Sequence, residues 1–245
     1  MRRPPGYLAV VLLALAIPPV LAGQDPPPKA LLATANVSFV DAAGNTDITT
    51  LSGDQRIEYS PLESGWKLTE FLLAIYGRAD GVTSANSLKI GGRADREITD
   101  RLAAFGGVTY LRNRFSGIAR HFEEIAGLAY KVLDRPRDQL SAELGASFNQ
   151  QRDILGSDDA FVAARAAGAY RHLFAEEAFF QQLVELLPNL EESEDLRINT
   201  ESSLVAPLSR RLAIKLSYTI RFDNLPEPTF SKTDRIFSSG LQITF

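Results

Sequence analysis

Arg211-Leu212-Ala213-Ile214-Lys215-Leu216-Ser217-Tyr218-Thr219-Ile220-Arg221-Phe222 alternates apolar with polar or small residues without a break. Successive side chains of a β-strand point to opposite sides. In that geometry Leu212, Ile214, Leu216, Tyr218, Ile220 and Phe222 form one greasy face, and Arg211, Ala213, Lys215, Ser217, Thr219 and Arg221 form a polar, cationic one. The stretch therefore predicts a two-faced strand, longer than the five or six residues usual in soluble sheets.

The same period recurs along the chain. At 139–151, Leu140, Ala142, Leu144, Ala146 and Phe148 oppose Ser141, Glu143, Gly145, Ser147, Asn149 and Gln151. At 50–59, Leu51, Gly53, Ile57 and Tyr59 oppose Thr50, Ser52, Asp54, Arg56 and Glu58. Turn residues divide the chain into about twelve segments, near 31–41, 48–60, 65–78, 85–98, 101–113, 119–133, 139–152, 160–173, 177–188, 196–207, 210–223 and 233–245. Two lack a clean phase. Phe71, Leu72 and Leu73 put apolar residues on both faces of 65–78, and the pairs Phe179-Phe180 and Leu186-Leu187 leave 177–188 open to a short helix as well as a strand.

Composition narrows the class. The chain has 245 residues, 45% hydrophobic and 23% charged, with no Cys and 26 Lys plus Arg against 30 Asp plus Glu. Without Cys there is no disulfide, thiol nucleophile or thiolate metal site, and no lipoprotein anchor. The acidic balance argues against nucleic acid as a partner, because a polyanion needs a basic face. Only the N-terminus approaches the roughly 20 apolar residues that a spanning helix requires. There, Met1-Arg2-Arg3 precedes an apolar run from Tyr7 to Ile17, and Val20-Leu21-Ala22 supplies small residues for cleavage. Residues 1–22 are expected to be a cleaved signal peptide, 23–30 a Pro-rich periplasmic leader, and 31–245 the folded domain.

Two arrangements bury a two-faced strand, a sandwich and a membrane barrel. The apolar face here mixes Leu, Ile and Val with many Ala and Gly, and the other face carries charge, which suits lipid outside and water inside. Long strands also suit a bilayer, crossed by a tilted strand in about 9–11 residues. The connections after the odd-numbered segments, such as Arg78 to Ala85 and Asp223 to Lys232, read as longer than those after the even ones. Aromatic residues gather near both ends: Tyr59, Trp66, Tyr130 and Tyr170 at the short-turn end, and Tyr76, Tyr110, Phe122, Phe161 and Phe222 at the other. Two interfacial girdles are expected from this spacing. The predicted fold is an all-β, transmembrane, antiparallel up-and-down barrel of about twelve strands. It is expected in the bacterial outer membrane with both termini periplasmic.

Ala43-Gly44-Asn45-Thr46-Asp47, the run Tyr110-Leu111-Arg112-Asn113-Arg114-Phe115-Ser116-Gly117-Ile118, and a close with Lys232, Asp234 and Phe245 resemble the bacterial family of salt-induced outer-membrane proteins, the YdiY-like family. The resemblance runs over essentially the whole mature chain and implies location and fold; the family has no established activity. One departure is Asn113, where an acidic residue is expected. Leu241, Ile243 and terminal Phe245 look like the C-terminal signal read by barrel-assembly machinery.

The expected lumen-lining residues carry both signs, with Arg56, Arg93, Glu143, Arg165, Glu201 and Lys215 as the candidates. Small residues at Gly91, Gly107, Gly127, Gly145 and Ala167 are expected to leave room among them. Such a lumen lines a channel for small polar solutes, in a barrel related to envelope or osmotic stress, or closes into ion pairs in a plugged, structural or adhesive barrel. A third reading is a lipid-modifying enzyme at the rim, where Ser116, His121 and Glu123 are close in sequence. No catalytic residue is assigned. No cofactor is expected, nor a metal site: Glu191-Glu192-Ser193-Glu194-Asp195 lacks the spacing of a calcium loop. Outer-membrane lipid and lipopolysaccharide, the assembly machinery and small polar solutes are the expected partners.

Overall fold

The computed structural model describes residues 31–42, 48–61, 63–175, 178–226 and 231–245. The expected signal peptide and leader, and the motif at 43–47, lie outside them. Twelve strands run in chain order: β1 (Leu31–Ala42), β2 (Ile48–Tyr59), β3 (Trp66–Ala79), β4 (Val82–Glu97), β5 (Leu102–Asn113) and β6 (Ile118–Asp134). They continue as β7 (Asp138–Asp153), β8 (Asp158–Leu173), β9 (Phe179–Pro188), β10 (Leu196–Pro207), β11 (Leu212–Asp223) and β12 (Thr233–Thr244). Each pairs antiparallel with its neighbours in sequence, and β1 pairs with β12 to close the barrel. The seam is held by Thr34 opposite Thr244, Ala35 opposite Ile243, Asn36 opposite Gln242 and Val37 opposite Leu241. Phe245 N–H adds a bond to the Ala33 carbonyl at 2.9 Å.

Polarity is inverted relative to a soluble domain. The large apolar side chains lie outside, with Leu144 69% and Phe237 68% exposed, while Ser147 is 2% exposed. On β11, Leu216 and Tyr218 face outward and Lys215 and Ser217 inward, as the alternation of 211–222 requires. A largely apolar outside on a closed sheet has no place in water, and closure satisfies the backbone that a bilayer cannot.

Two segments without a clean phase are strands. β3 points Phe71, Leu73 and Ile75 inward, opposite Arg56, Asp54 and Ser52 of β2, so its apolar residues serve both faces. The helix alternative at 177–188 is replaced by β9, whose register fixes Gln181, Leu183 and Glu185 inward and Gln182 and Val184 outward. Propensity is silent there, and pairing on both sides decides.

Since twelve is even, β1 begins and β12 ends at one end, called here the terminal end; the other is the distal end. The expected long connection from Arg78 to Ala85 is instead the two-residue turn Asp80-Gly81, with φ of 48° and 77°. That is the twist-matched geometry favoured in tight hairpins, and it extends β3 and β4 by a turn's worth of pairing. By strand bounds the longest connections at the distal end are 189–195 and 224–232, and the terminal end keeps the less tight 60–65, with Glu63 at φ 57° and Gly65 at 64°. Phe161 does not join the outer girdle. It points inward and is 4% exposed.

Gly81 holds a left-handed conformation with open space around it, so Gly81→Val meets only the backbone penalty. It is expected to cost about 1–2 kcal/mol, read as a lowered urea midpoint of the refolded protein in micelles.

Candidate functional site

The luminal wall formed by β4–β9 is thick. Its base is a row of glycines: Gly107 of β5, Gly127 of β6 and Gly145 of β7 all face inward. The Phe105 ring of β5 covers Gly127, where a Cβ would meet it at 2.8 Å. The expected vacancy at Gly127 is thus occupied, and a Cβ at Gly107 or Gly145 would meet backbone carbonyls of the neighbouring strand. The same holds at Gly91, whose missing Cβ makes way for the Phe71 ring. Phe105 is 5% exposed because two guanidiniums cover it, with Arg93 4.0 Å and Arg165 5.5 Å from the ring centre.

Arginines stacked on a ring keep their edges free for acids. Arg93 binds Asp95 at 2.6 Å and reaches from β4 to Glu143 of β7, donating from Nη1 at 3.0 Å and Nη2 at 2.8 Å. Arg165 donates to the same Glu143 at 2.7 Å and to Glu185 of β9 at 2.7 Å, and Asn199 of β10 donates to Glu185 at 3.0 Å. The chain of contacts is a shelf: Arg93 to Glu143 spans β4 to β7, and Arg165, Glu185 and Asn199 continue it over the neighbouring strands β8, β9 and β10. Glycine floor, ring, guanidiniums and carboxylates are its successive layers.

A second layer lies nearer the distal end. Arg197 of β10 stands 4.8 Å from the Phe161 ring centre and donates to Gln151 of β7 at 3.3 Å. It also pairs with Asp195 at 3.4 Å and Asp223 at 3.5 Å. Asp195, part of the acidic run, is thereby drawn inward and 6% exposed. Among the described residues no cluster of acids and histidines is arranged to hold a metal.

The opposite wall is thin. Asn36 and Ser38 of β1, Ser52 and Asp54 of β2, Ser217 of β11, and Ser238 and Gly240 of β12 line it, joined by Lys215. They surround a small cavity of about 20 Å³. Asn36 donates to Asp54 at 2.6 Å, and the Ser217 and Ser238 hydroxyls are 2.6 Å apart.

Of the six expected lumen residues, Arg93, Glu143 and Arg165 meet in the shelf. Glu201 and Lys215 form a separate pair at 3.5 Å. Arg56 stands apart toward the terminal end with Glu58 at 2.6 Å, half exposed. Glu185 was missed for want of a phase in its segment. Phe105 was missed too, although an inward aromatic flanked by inward glycines on the next strands was a readable sign. Ser116, His121 and Glu123 are not assembled into a catalytic set: Ser116 donates to Asp234 at 2.6 Å, and His121 pairs with Asn149 at 2.9 Å.

Glu143 accepts from both arginines while only 17% exposed, so Glu143→Gln leaves them short of charge. Since a hydrogen bond to a charged group is worth about 1.5–3 kcal/mol, a loss of about 2 kcal/mol in urea unfolding is expected. Arg56→Gln, at an exposed pair, should change stability by less than about 1 kcal/mol.

Among known proteins, the chain is 23% identical over 206 residues to the uncharacterized protein YdiY of Escherichia coli (strain K12), covering 82% of this chain and 77% of that protein. Solved structures of similar shape include the NanC porin (8% identity, 87% of this chain and 97% of that one, TM-score 0.49). The KdgM porin (11%, 88% and 99%, 0.49) and the translocator domain of the autotransporter NalP from Neisseria meningitidis (10%, 90% and 90%, 0.49) are others. A family model described as a protein of unknown function, DUF481, matches residues 35–245, and the chain belongs to that family.

Proposed function

We propose that this protein is an outer-membrane channel for small polar solutes, with a narrow, off-axis path beside the luminal shelf. The observation that carries this reading is the difference between the two walls. On β4–β9 the lumen is occupied by rings and ion pairs. Around the cavity on β1, β2, β11 and β12 it presents serines, Asn36 and Gly240, with Asp54 and Lys215 as the charged groups and no aromatic ring. Twelve strands make a barrel wider than the eight-stranded kind whose side chains fill it, and narrower than an open porin. A shelf on one side would then set the width, and its mixed charge disfavours a strong preference for either sign of ion.

Placement in the membrane follows from the apolar outer belt. With the termini periplasmic, the distal loops face outward. Leu241, Ile243 and Phe245, outward on the closing strand, would be the segment that the assembly machinery engages. The ion pairs also favour a plugged, structural barrel, and one measurement separates the two. In planar bilayers the refolded protein is expected to give discrete openings. Phe105→Ala, which removes the ring beneath both arginines, should raise the unit conductance, and Ser52→Trp on the thin wall should lower it. A silent membrane with wild type and Phe105→Ala alike would reject the channel and leave the structural reading.

A further inference from the structure

At the distal end, three arginines stand in one row on the outer face of the wall. Arg120 of β6 lies directly opposite Arg152 of β7. Arg112 of β5 sits in a bulge, between Leu111 opposite His121 and Asn113 opposite Ile118, and so falls beside Arg120. All three have outward parity, since Leu111, His121 and Gln151 beside them point into the lumen. Like charges facing one another across a strand pair repel, yet the row has one outward carboxylate. Asp158 of β8 takes Arg152 Nε at 2.7 Å and Arg120 at 3.6 Å. Arg112 has no carboxylate among the described residues: its Nη2 reaches Asn86 of β4 at 3.4 Å, and its Nε is buried without a partner.

The next row toward the middle of the wall is aromatic. Tyr110 of β5 and Phe122 of β6 face outward with ring centres 5.0 Å apart. Tyrosine and phenylalanine on a lipid-facing wall mark the level where hydrocarbon gives way to headgroups. Glu124, also outward, lies on the hydrocarbon side of that row, with the rings between it and the arginines. The cationic row is therefore held at headgroup height with three guanidiniums against one carboxylate. Arg120 and Arg152 keep 53% and 42% of their side chains exposed.

We infer that Arg112, Arg120 and Arg152 form a binding site for the phosphate groups of a phosphorylated glycolipid in the outer leaflet. Guanidinium forks match phosphate oxygens in pairs. Three of them in a row, above an aromatic pair that fixes the acyl chains below, fit a headgroup whose phosphates sit at the membrane surface. Asn86 adds an amide beside Arg112. The site rests on the reading of the distal end as outward-facing.

The test uses the full-length mature protein, folded in detergent micelles and examined by native mass spectrometry. The probes are a diphosphorylated glucosamine-disaccharide lipid, the same lipid without phosphates, and inorganic phosphate. Wild type is expected to retain the phosphorylated lipid and not its dephosphorylated counterpart. The triple variant R112Q/R120Q/R152Q should lose retention at least about tenfold, as expected for one lost charged contact or more. Heat-modifiable gel mobility reports its folding. If the triple variant does not fold, Arg112→Gln, which leaves the Arg120 and Arg152 pairs with Asp158 in place, carries the test and should also lose retention. Equal retention by the folded variant, equal retention of the lipid without phosphates, or displacement of the lipid by equimolar inorganic phosphate would each overturn the site. Orientation has its own readout, because the chain has no Cys. Leu155→Cys, in an exposed distal turn, should react with a membrane-impermeant thiol reagent on intact cells. Reaction only after lysis overturns the orientation and the outer-leaflet assignment with it. Lost lipid specificity with normal labelling overturns the rim site alone.

Discussion

The hydrogen bonds between β1 and β12 close the sheet into a barrel, and the strand backbone is then paired chiefly with neighbouring strands. With the backbone spent in this way, side chains alone distinguish inside from outside. Period-two alternation follows directly, since a wall one residue thick offers each strand only two surfaces. The exposed Leu144 and Phe237 and the sunken Ser147 are two sides of that single constraint. A soluble protein would reverse them.

Within the lumen, the organising contacts are aromatic before they are ionic. Phe105 supplies a flat surface over the glycine floor, and Arg93 and Arg165 are oriented by lying on it. Only then does Glu143 find two guanidiniums pointing at it from β4 and β8. Phe161 beneath Arg197 repeats the arrangement nearer the distal end. Arg93, Arg165, Glu143 and Glu185 are thereby paired at the cost of filling one side of the barrel. Whatever passes through is confined to the other side.

How much of this was legible beforehand differs by level. Strand number, location and facing could be read from stretches such as 211–222, because a half-buried strand writes its period into the sequence. β9 could not, since Leu and Phe on successive residues satisfy either face until a neighbour fixes the register. The Asp80-Gly81 turn was concealed by polar flanking residues, Thr83, Ser84 and Asn86, that belong to β4, with Thr83 and Asn86 paired to β3 and Ser84 at a bulge. In the site, charge identified Arg93, Glu143 and Arg165. Their meeting depends on strands three and four apart around a circle, a distance that no local pattern encodes. Gly91 and Gly127 were noticed and misread as space, because a missing side chain does not announce which distant ring will lie over it.

The seam has a further consequence for how such a chain comes into being. Its partners, Thr34 and Thr244 among them, lie at opposite ends of the folded chain. No shorter piece can close early, and a chain stopped anywhere before β12 keeps two bare edges ready to pair with other strands. Loop closure over so many residues is slow to be rewarded. Completeness of the polypeptide is thus itself the checkpoint: the last strand made is the one that removes both edges at once.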